Sequence, residues 1–259
     1  LLGLQVMQPQ ALRAVTRGEL RATLIIGLGT VGIWGACSSA SQRYIPGGVA
    51  AIIAASVPLW VVLFRRIGGD VPSRATLLGV IVGLLALGAM MLPGAVTGVN
   101  GADRSTVAVW SLVMLAGSAG WAYFSWRASR VQLPSNPLVG AALSLTWAGI
   151  GLTVAGTVIG ERVHLAGIST ASWVGWSWLV VASLVGYVAF TTLISRAPLS
   201  LVSTYAYVNP IVAVFLGWLV LAEPLTWSVI IGLVVVAGAV ALVVSGEQSG
   251  ERVSQRNTR

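Results

Sequence analysis

The residues able to hold a solute are few: a hydroxyl at Ser203, a phenol at Tyr207, an amide at Asn209 and a proline at Pro210. Ser203, Tyr207 and Pro210 fall at i, i+4 and i+7, so a helix puts all three on one face. Pro210 has no N–H, and its ring crowds the carbonyl four residues back, that of Ala206. In hydrocarbon a carbonyl freed in this way needs a partner in protein or in a wet cavity. That face is the candidate wall of a binding cavity, with Asn209 off the stripe and able to bond the loosened backbone. A kinked structural helix, its polar groups bonded to neighbouring helices, is the competing reading. Similar residues stand in other apolar runs: Trp34 and Ser38 at i and i+4, Tyr187 with Thr191, and a second proline at Pro58.

Other chemistry is excluded by what the apolar runs lack. No Asp, Glu, Lys, Arg or His lies deep in any of them, so a buried ionisable group of the kind that marks proton relays is not visible. There is no HExxH, no Ser-His-acid set and no paired carboxylate to run acid–base work, so the protein is not expected to be an enzyme. His164 stands alone beside Glu161 and Arg162, with no second His or Cys to complete a metal site. Cys37 is the single cysteine and reads as a small packing residue. No metal and no cofactor are expected.

These residues must be carried by membrane spans. Only 8% of the chain is charged and 56% is hydrophobic, far from the quarter charged that is usual in soluble domains. Eight uncharged intervals, from Ala22 to Gly246, are each long enough for the roughly 20 apolar residues of a transmembrane helix. Strands of a barrel would alternate in polarity, and these runs do not. Letting the spans alternate across the bilayer puts 12 arginines on one face and 3 on the other, which makes the first face cytoplasmic. The basic residues are spread over separate cytoplasmic segments, so the net charge of +8 does not point to nucleic acid. Aromatic belts at the two interfaces account for Trp110, Trp126, Trp173 and Trp227. Residues 247–259 are polar and aperiodic and are expected to form a disordered cytoplasmic tail.

One unit occurs twice. Gly47 to Leu92 and Leu199 to Val244 share small residues, a proline (Pro58; Pro210), a bulky half-span, an acid (Asp70; Glu223), a nearby proline (Pro72; Pro224) and a glycine-bearing helix. The arginine count places Asp70 in a cytoplasmic loop and Glu223 in an outer one, the mark of an inverted repeat. Inversion needs an odd number of spans per copy. The second copy, 105–246, has five; the first, 1–94, shows three, so two further helices are expected upstream of Leu1. Glu223 and Pro224 have a local reading: proline suits the first helical position and a carboxylate there faces the positive helix end. Glu223 is thus expected to cap the last helix.

The run "NPIVAVFLGWLVLAEPLTWSVIIGLVVVAGAVALVV" and its earlier echo "SVPLWVVLFRR" resemble the paired EamA domains of the drug/metabolite transporter superfamily. The resemblance implies an all-α integral membrane protein of ten helices in two inverted halves around a central cavity. It also implies a small-molecule substrate, such as an amino acid or drug-like compound, moved across the cell membrane, and it matches Pro58, Pro210, Asp70 and Glu223 to the family's prolines and acids. Asp70-Val71-Pro72 departs from the Glu-Pro pattern. A scaffold or regulatory protein of the same fold is the alternative.

Overall fold

Apolar runs of this length become helices because a helix bonds its own backbone where water is absent. A computed structural model describes residues 9–90, 98–162, 167–196 and 205–257, and all regular structure among them is helical. A short α1 (Pro9–Arg13) precedes α2 (Arg17–Gly27), a π-helical turn (Leu28–Gly32) and α3 (Ile33–Ser41). Then come α4 (Gly47–Ala54), α5 (Val57–Ile67), α6 (Arg74–Met90), α7 (Arg104–Ala128) and α8 (Pro137–Val158). The order closes with α9 (Thr170–Arg196), α10 (Tyr205–Leu221) and α11 (Trp227–Asn257).

Five of the described runs are long and apolar enough to cross a membrane: Arg17–Ser41, Gly47–Ile67, Arg104–Ala128, Pro137–Val158 and Trp227–Gly246. Arg74–Ala89 and Val208–Leu221 are shorter apolar helices, and α9 adds 27 residues of helix. Each of the eight expected spans therefore holds helix. Starts are chosen by polar caps. Thr16 and Glu19 form a capping box, with the Glu19 N–H donating to Thr16 Oγ1 at 3.2 Å and the Thr16 N–H to the Glu19 carboxylate at 2.7 Å. Asp103 accepts the Thr106 N–H at 2.8 Å at the start of α7.

The chain forms two compact units, Leu1–Leu152 with Ala206–Arg259, and Thr153–Tyr205. In the first, Ile52, Leu59, Leu87, Met114, Val236 and Val240 are fully buried. Without a hydrophobic force between helices in lipid, close approach depends on small residues. Gly79 and Gly83 of α6 supply it: a methyl on Gly79 would lie 2.9 Å from the Ala239 carbonyl of α11, and one on Gly83 would strike Leu59 of α5. Gly117 of α7 does the same for α3, where Cys37 Cβ occupies the space at 2.7 Å. In the second unit, the Glu161 N–H donates to the Gly156 carbonyl at 2.8 Å where α8 ends, and Trp173 meets Trp176 edge-on at 5.9 Å.

The last helix corrects one expectation. Residues 247–257, read from sequence as a disordered tail, are helical backbone continuing α11. Adding a residue to an existing helix costs far less than starting one, and Glu, Gln and Arg in this stretch are good helix formers.

Loops gather at two ends of the first unit. At one, the Val99 N–H donates to the Tyr44 carbonyl at 3.1 Å and Asn100 Nδ2 to that of Arg43 at 2.8 Å. At the other, Arg65 Nε donates to Asp70 Oδ2 at 2.8 Å, and a methyl on Gly68 would meet Trp126 at 2.7 Å and Arg130 at 3.1 Å. The run Gly47–Ile67 connects the two ends through 21 residues, about 30 Å of helix.

Candidate functional site

The run Gly47–Ile67 is interrupted beside Pro58. Pro58 is the second residue of α5, and the helix before it stops at Ala54. Pro58 cannot donate to the Ala54 carbonyl, and the chain steps through Ala55 and Ser56 before winding again. The carbonyl of Ile53 turns out of the ladder at this step. It accepts the Ser56 N–H at 3.0 Å, Ser56 Oγ at 2.6 Å and Ser118 Oγ of α7 at 3.3 Å. Ser56 and Ser118 are both wholly buried, and Ser56 Oγ also accepts from Trp60 Nε1 at 3.2 Å. A span broken near its middle, with its loosened backbone held by hydroxyls, is what hydrocarbon permits only inside protein or beside a cavity.

The second proline behaves differently. Pro210 is buried inside the continuous helix α10, and Asn209 beside it is exposed. Tyr187, Thr191 and Tyr207 fall on helical backbone, but their side chains lie outside the described residues. Ser203 and His164 lie outside them altogether. Trp34 and Ser38 stand on α3, both partly buried. Trp34 meets Trp121 of α7 edge-on at 6.2 Å and packs against the buried core, while Ser38 Oγ accepts from Gln42 Nε2 at 2.7 Å. Trp34, the Pro58 break and Ser118 thus converge on α7.

Glu223 corrects the reading of the acid–proline pair. It does not cap the last helix: α11 begins at Trp227, Thr226 Oγ1 accepts the Val229 N–H at 3.4 Å, and Pro224 precedes the helix instead of opening it. The Glu223 carboxylate reaches the start of α4. Oε1 accepts the Gly47 N–H at 2.6 Å and Oε2 the Gly48 N–H at 3.0 Å, so it caps α4 from 175 residues away. Those are the first two N–H groups of a helix, which have no partner within it. Pro46, at the N-cap, offers no side-chain hydrogen bond. Three glycines make the seat: a methyl on Gly47, Gly48 or Gly217 would lie 3.3, 3.4 or 2.5 Å from a carboxylate oxygen of Glu223. Ala222, at φ +53°, turns the chain to deliver the acid. The sequence flagged Glu223 but not Gly47, Gly48, Gly217, Ser56 or Ser118.

Asp70, its counterpart, stays local. Its carboxyl is held below the ordinary carboxylate range by the hydrogen bond from Arg65, with smaller help from the charges of Arg65 and Arg130. Asp70 and Glu223 sit at opposite ends of the Gly47–Ile67 run. A cleft of about 470 Å³ opens between α6 and α11, lined by Val82, Leu85, Ile231 and Val235 among others. Leu85 and Ile231 are 69% and 59% exposed; the groove is apolar, and none of the expected cavity residues lines it. Among the described residues no three His, Cys, Asp or Glu side chains gather as a metal site would require.

Apolar helices with charge confined to their ends, one of them broken at mid-span by proline, define an all-helical, multi-pass integral membrane protein. Residues 108–245 match the EamA-like transporter family. The chain is 31% identical over 237 residues to the uncharacterized inner membrane transporter YedA of Escherichia coli K12, covering 91% of this chain and 73% of that one. It is 25% identical over 231 residues to the uncharacterized transporter YvbV of Bacillus subtilis 168, covering 86% and 68%. A solved crystal structure superposes with a TM-score of 0.49 at 18% identity, over 93% of this chain and 92% of that one. The chain belongs to the EamA-like transporter family, and its setting is a cell membrane.

Proposed function

We propose that this protein carries a small neutral or amphipathic metabolite, such as an amino acid or a drug-like compound, outward through the cell membrane by alternating access. Two inverted copies of one five-span module would rock about a cavity near mid-membrane, with the C-terminus in the cytoplasm. The observation that carries this reading is the break at Ala55–Pro58, about halfway along the Gly47–Ile67 run. Interrupted helices near the midplane are where inverted-repeat carriers place their sites. The break brings together a loosened carbonyl, two hydroxyls and the Trp60 indole, and no charge. Such a wall suits an uncharged or aromatic solute, held by stacking and hydrogen bonds. Ser203, Tyr207, Asn209 and Pro210, with Tyr187 and Thr191, would form the matching wall of the second copy.

The test is flux. Full-length protein in liposomes, offered a panel of amino acids, nucleosides and aromatic amines, should show saturable movement of at least one of them. Absence of saturable flux for every compound would favour a scaffold of the same fold. Chemical conversion of a compound, seen by mass spectrometry, would point to an enzyme.

A further inference from the structure

We infer that the Glu223 carboxylate is a latch that holds the outer side of the solute path shut. The inference rests on the two-halved carrier proposed above, because a latch needs two parts that separate.

The contact joins the two copies at one end. Gly47 and Gly48 open the broken span of the first copy, and Glu223 follows the matching span of the second. Arginine distribution puts that end outside. A carrier alternates only if some contact between its halves closes the outer side in one state and parts in the other. The best partners for such a contact are groups that water can satisfy once they separate. A carboxylate and two backbone N–H groups at a helix start meet that condition, whereas an apolar contact deep in the bundle does not.

The seat is shaped for this one group. Gly217 leaves room that any larger residue would fill with its own Cβ, 2.5 Å from a carboxylate oxygen, while Gly47 and Gly48 border the seat at 3.3 and 3.4 Å. The helix end adds positive potential to its two N–H donors. Glu223 is free for the task because Thr226 caps α11. The reach across copies is particular to this acid, since Asp70 bonds Arg65 five residues away.

The latch also acts on a lever. Its target α4 has eight residues, latched at Gly47 and ending at the proline break, so releasing the carboxylate frees one end of a segment already jointed at the other. Ser56 ties the joint through the Ile53 carbonyl, and Ser118 shares its one hydroxyl hydrogen between that carbonyl and that of Met114, which leaves the Gly47 end as the part able to swing.

Spin labels on full-length protein in liposomes test this without knowledge of the solute. With Cys37→Ser as background, Arg43→Cys and Leu225→Cys place labels on exposed positions of the two latched loops. Pulsed dipolar distances should show a main short population and a minor longer one. Glu223→Gln, which keeps the shape but loses the charge, should raise the longer-to-shorter ratio on the order of tenfold, the equivalent of one charge-assisted hydrogen bond. Gly217→Ala, which pushes the carboxylate from its seat, should shift the ratio the same way and serves if the first variant folds poorly. Asp70→Asn, at the opposite end, should leave it unchanged. Identical distances in all the variants would overturn the latch. Flux of a panel compound with unmoved distances would also overturn it and leave the carrier standing. Distances that shift while no compound moves would keep the latch and count against the carrier.

Discussion

The two stretches read from sequence as copies of one unit, Gly47 to Leu92 and Leu199 to Val244, share their landmarks but use them differently. In the first, Pro58 splits its span into α4 and α5, and the loosened Ile53 carbonyl is held by Ser56 and Ser118. In the second, Pro210 lies within a continuous α10. The acids diverge as well: Asp70 closes a five-residue loop onto Arg65, while Glu223 crosses to the start of the other copy's span. The same residue type at the same place in a repeat is thus a local feature in one copy and a joint between copies in the other. Likeness of sequence sets where prolines and acids occur. The neighbours decide what each one does.

The largest effect that could break this comparison is at the acids. Glu223→Ala removes two hydrogen bonds to a charged acceptor and leaves two part-buried N–H groups to be satisfied otherwise. A loss of roughly 3 kcal/mol is expected, visible as a clear fall in melting temperature in detergent. Asp70→Ala should leave the melt nearly unchanged, because its pair with Arg65 is open to water and screened by salt. Linkage gives the small share of Asp70 a pH signature. A carboxyl whose folded pKa is lowered contributes above its unfolded pKa and loses that contribution as pH falls through the folded value. What little Asp70 adds is therefore present at neutral pH and vanishes only in acid. Equal losses from the two alanine variants would abolish the distinction between local and bridging acids.

The prolines come next. Pro58→Ala restores an N–H that can close the ladder to Ala54 and straighten the jointed span, so flux should fall several-fold while membrane insertion holds. Pro210→Ala, in a helix already continuous, should reduce flux less. Flux unchanged in the Pro58 variant, measured beside an insertion control, would count against the joint. Ser118→Ala should cost about 1 kcal/mol or less, since Ser56 still serves the Ile53 carbonyl. That cost is read from the melting temperature against the unmodified protein.

Much of this architecture was legible in the sequence, and the reason is the solvent. Charges are costly in hydrocarbon, so Arg43, Arg104 and Arg162 mark span ends as plainly as a capping motif. The π-helical turn at Leu28–Gly32 was not legible, because one extra residue in a turn leaves a wholly apolar run apolar; only the glycines Gly27, Gly29 and Gly32 hint at it. The target of Glu223 was hidden for two reasons. A local rule, acid and proline at a helix start, was satisfied on paper by the adjacent helix, yet Thr226 performs that role. The actual partners are glycines, whose contribution is an N–H and an absent side chain, and neither has a signature that sequence can separate from ordinary helix packing. Of the expected cavity wall in the second copy, Ser203, Tyr207, Tyr187 and Thr191 are in part or wholly outside the described residues.

The smallest expected effect sharpens the comparison most finely, because it concerns how the acid is delivered. Ala222 holds φ at +53° between the end of α10 and Glu223. A residue with a Cβ is disfavoured in that region by about 1 kcal/mol, and glycine is the usual occupant after a helix end. In the first copy the corresponding turn is made by Gly69, at φ +98°, just before Asp70. So the copy whose acid stays local takes the unstrained residue, and the copy whose acid reaches across carries the strain. Ala222→Gly should relieve the strain and, after allowing for glycine's greater freedom in the unfolded chain, raise stability by roughly 0.5 kcal/mol. The melting temperature would then rise by a degree or two, with the Gly47 and Gly48 contacts intact. A fall would show that this conformation is not what the folded protein adopts, and that the acid reaches its seat by another turn.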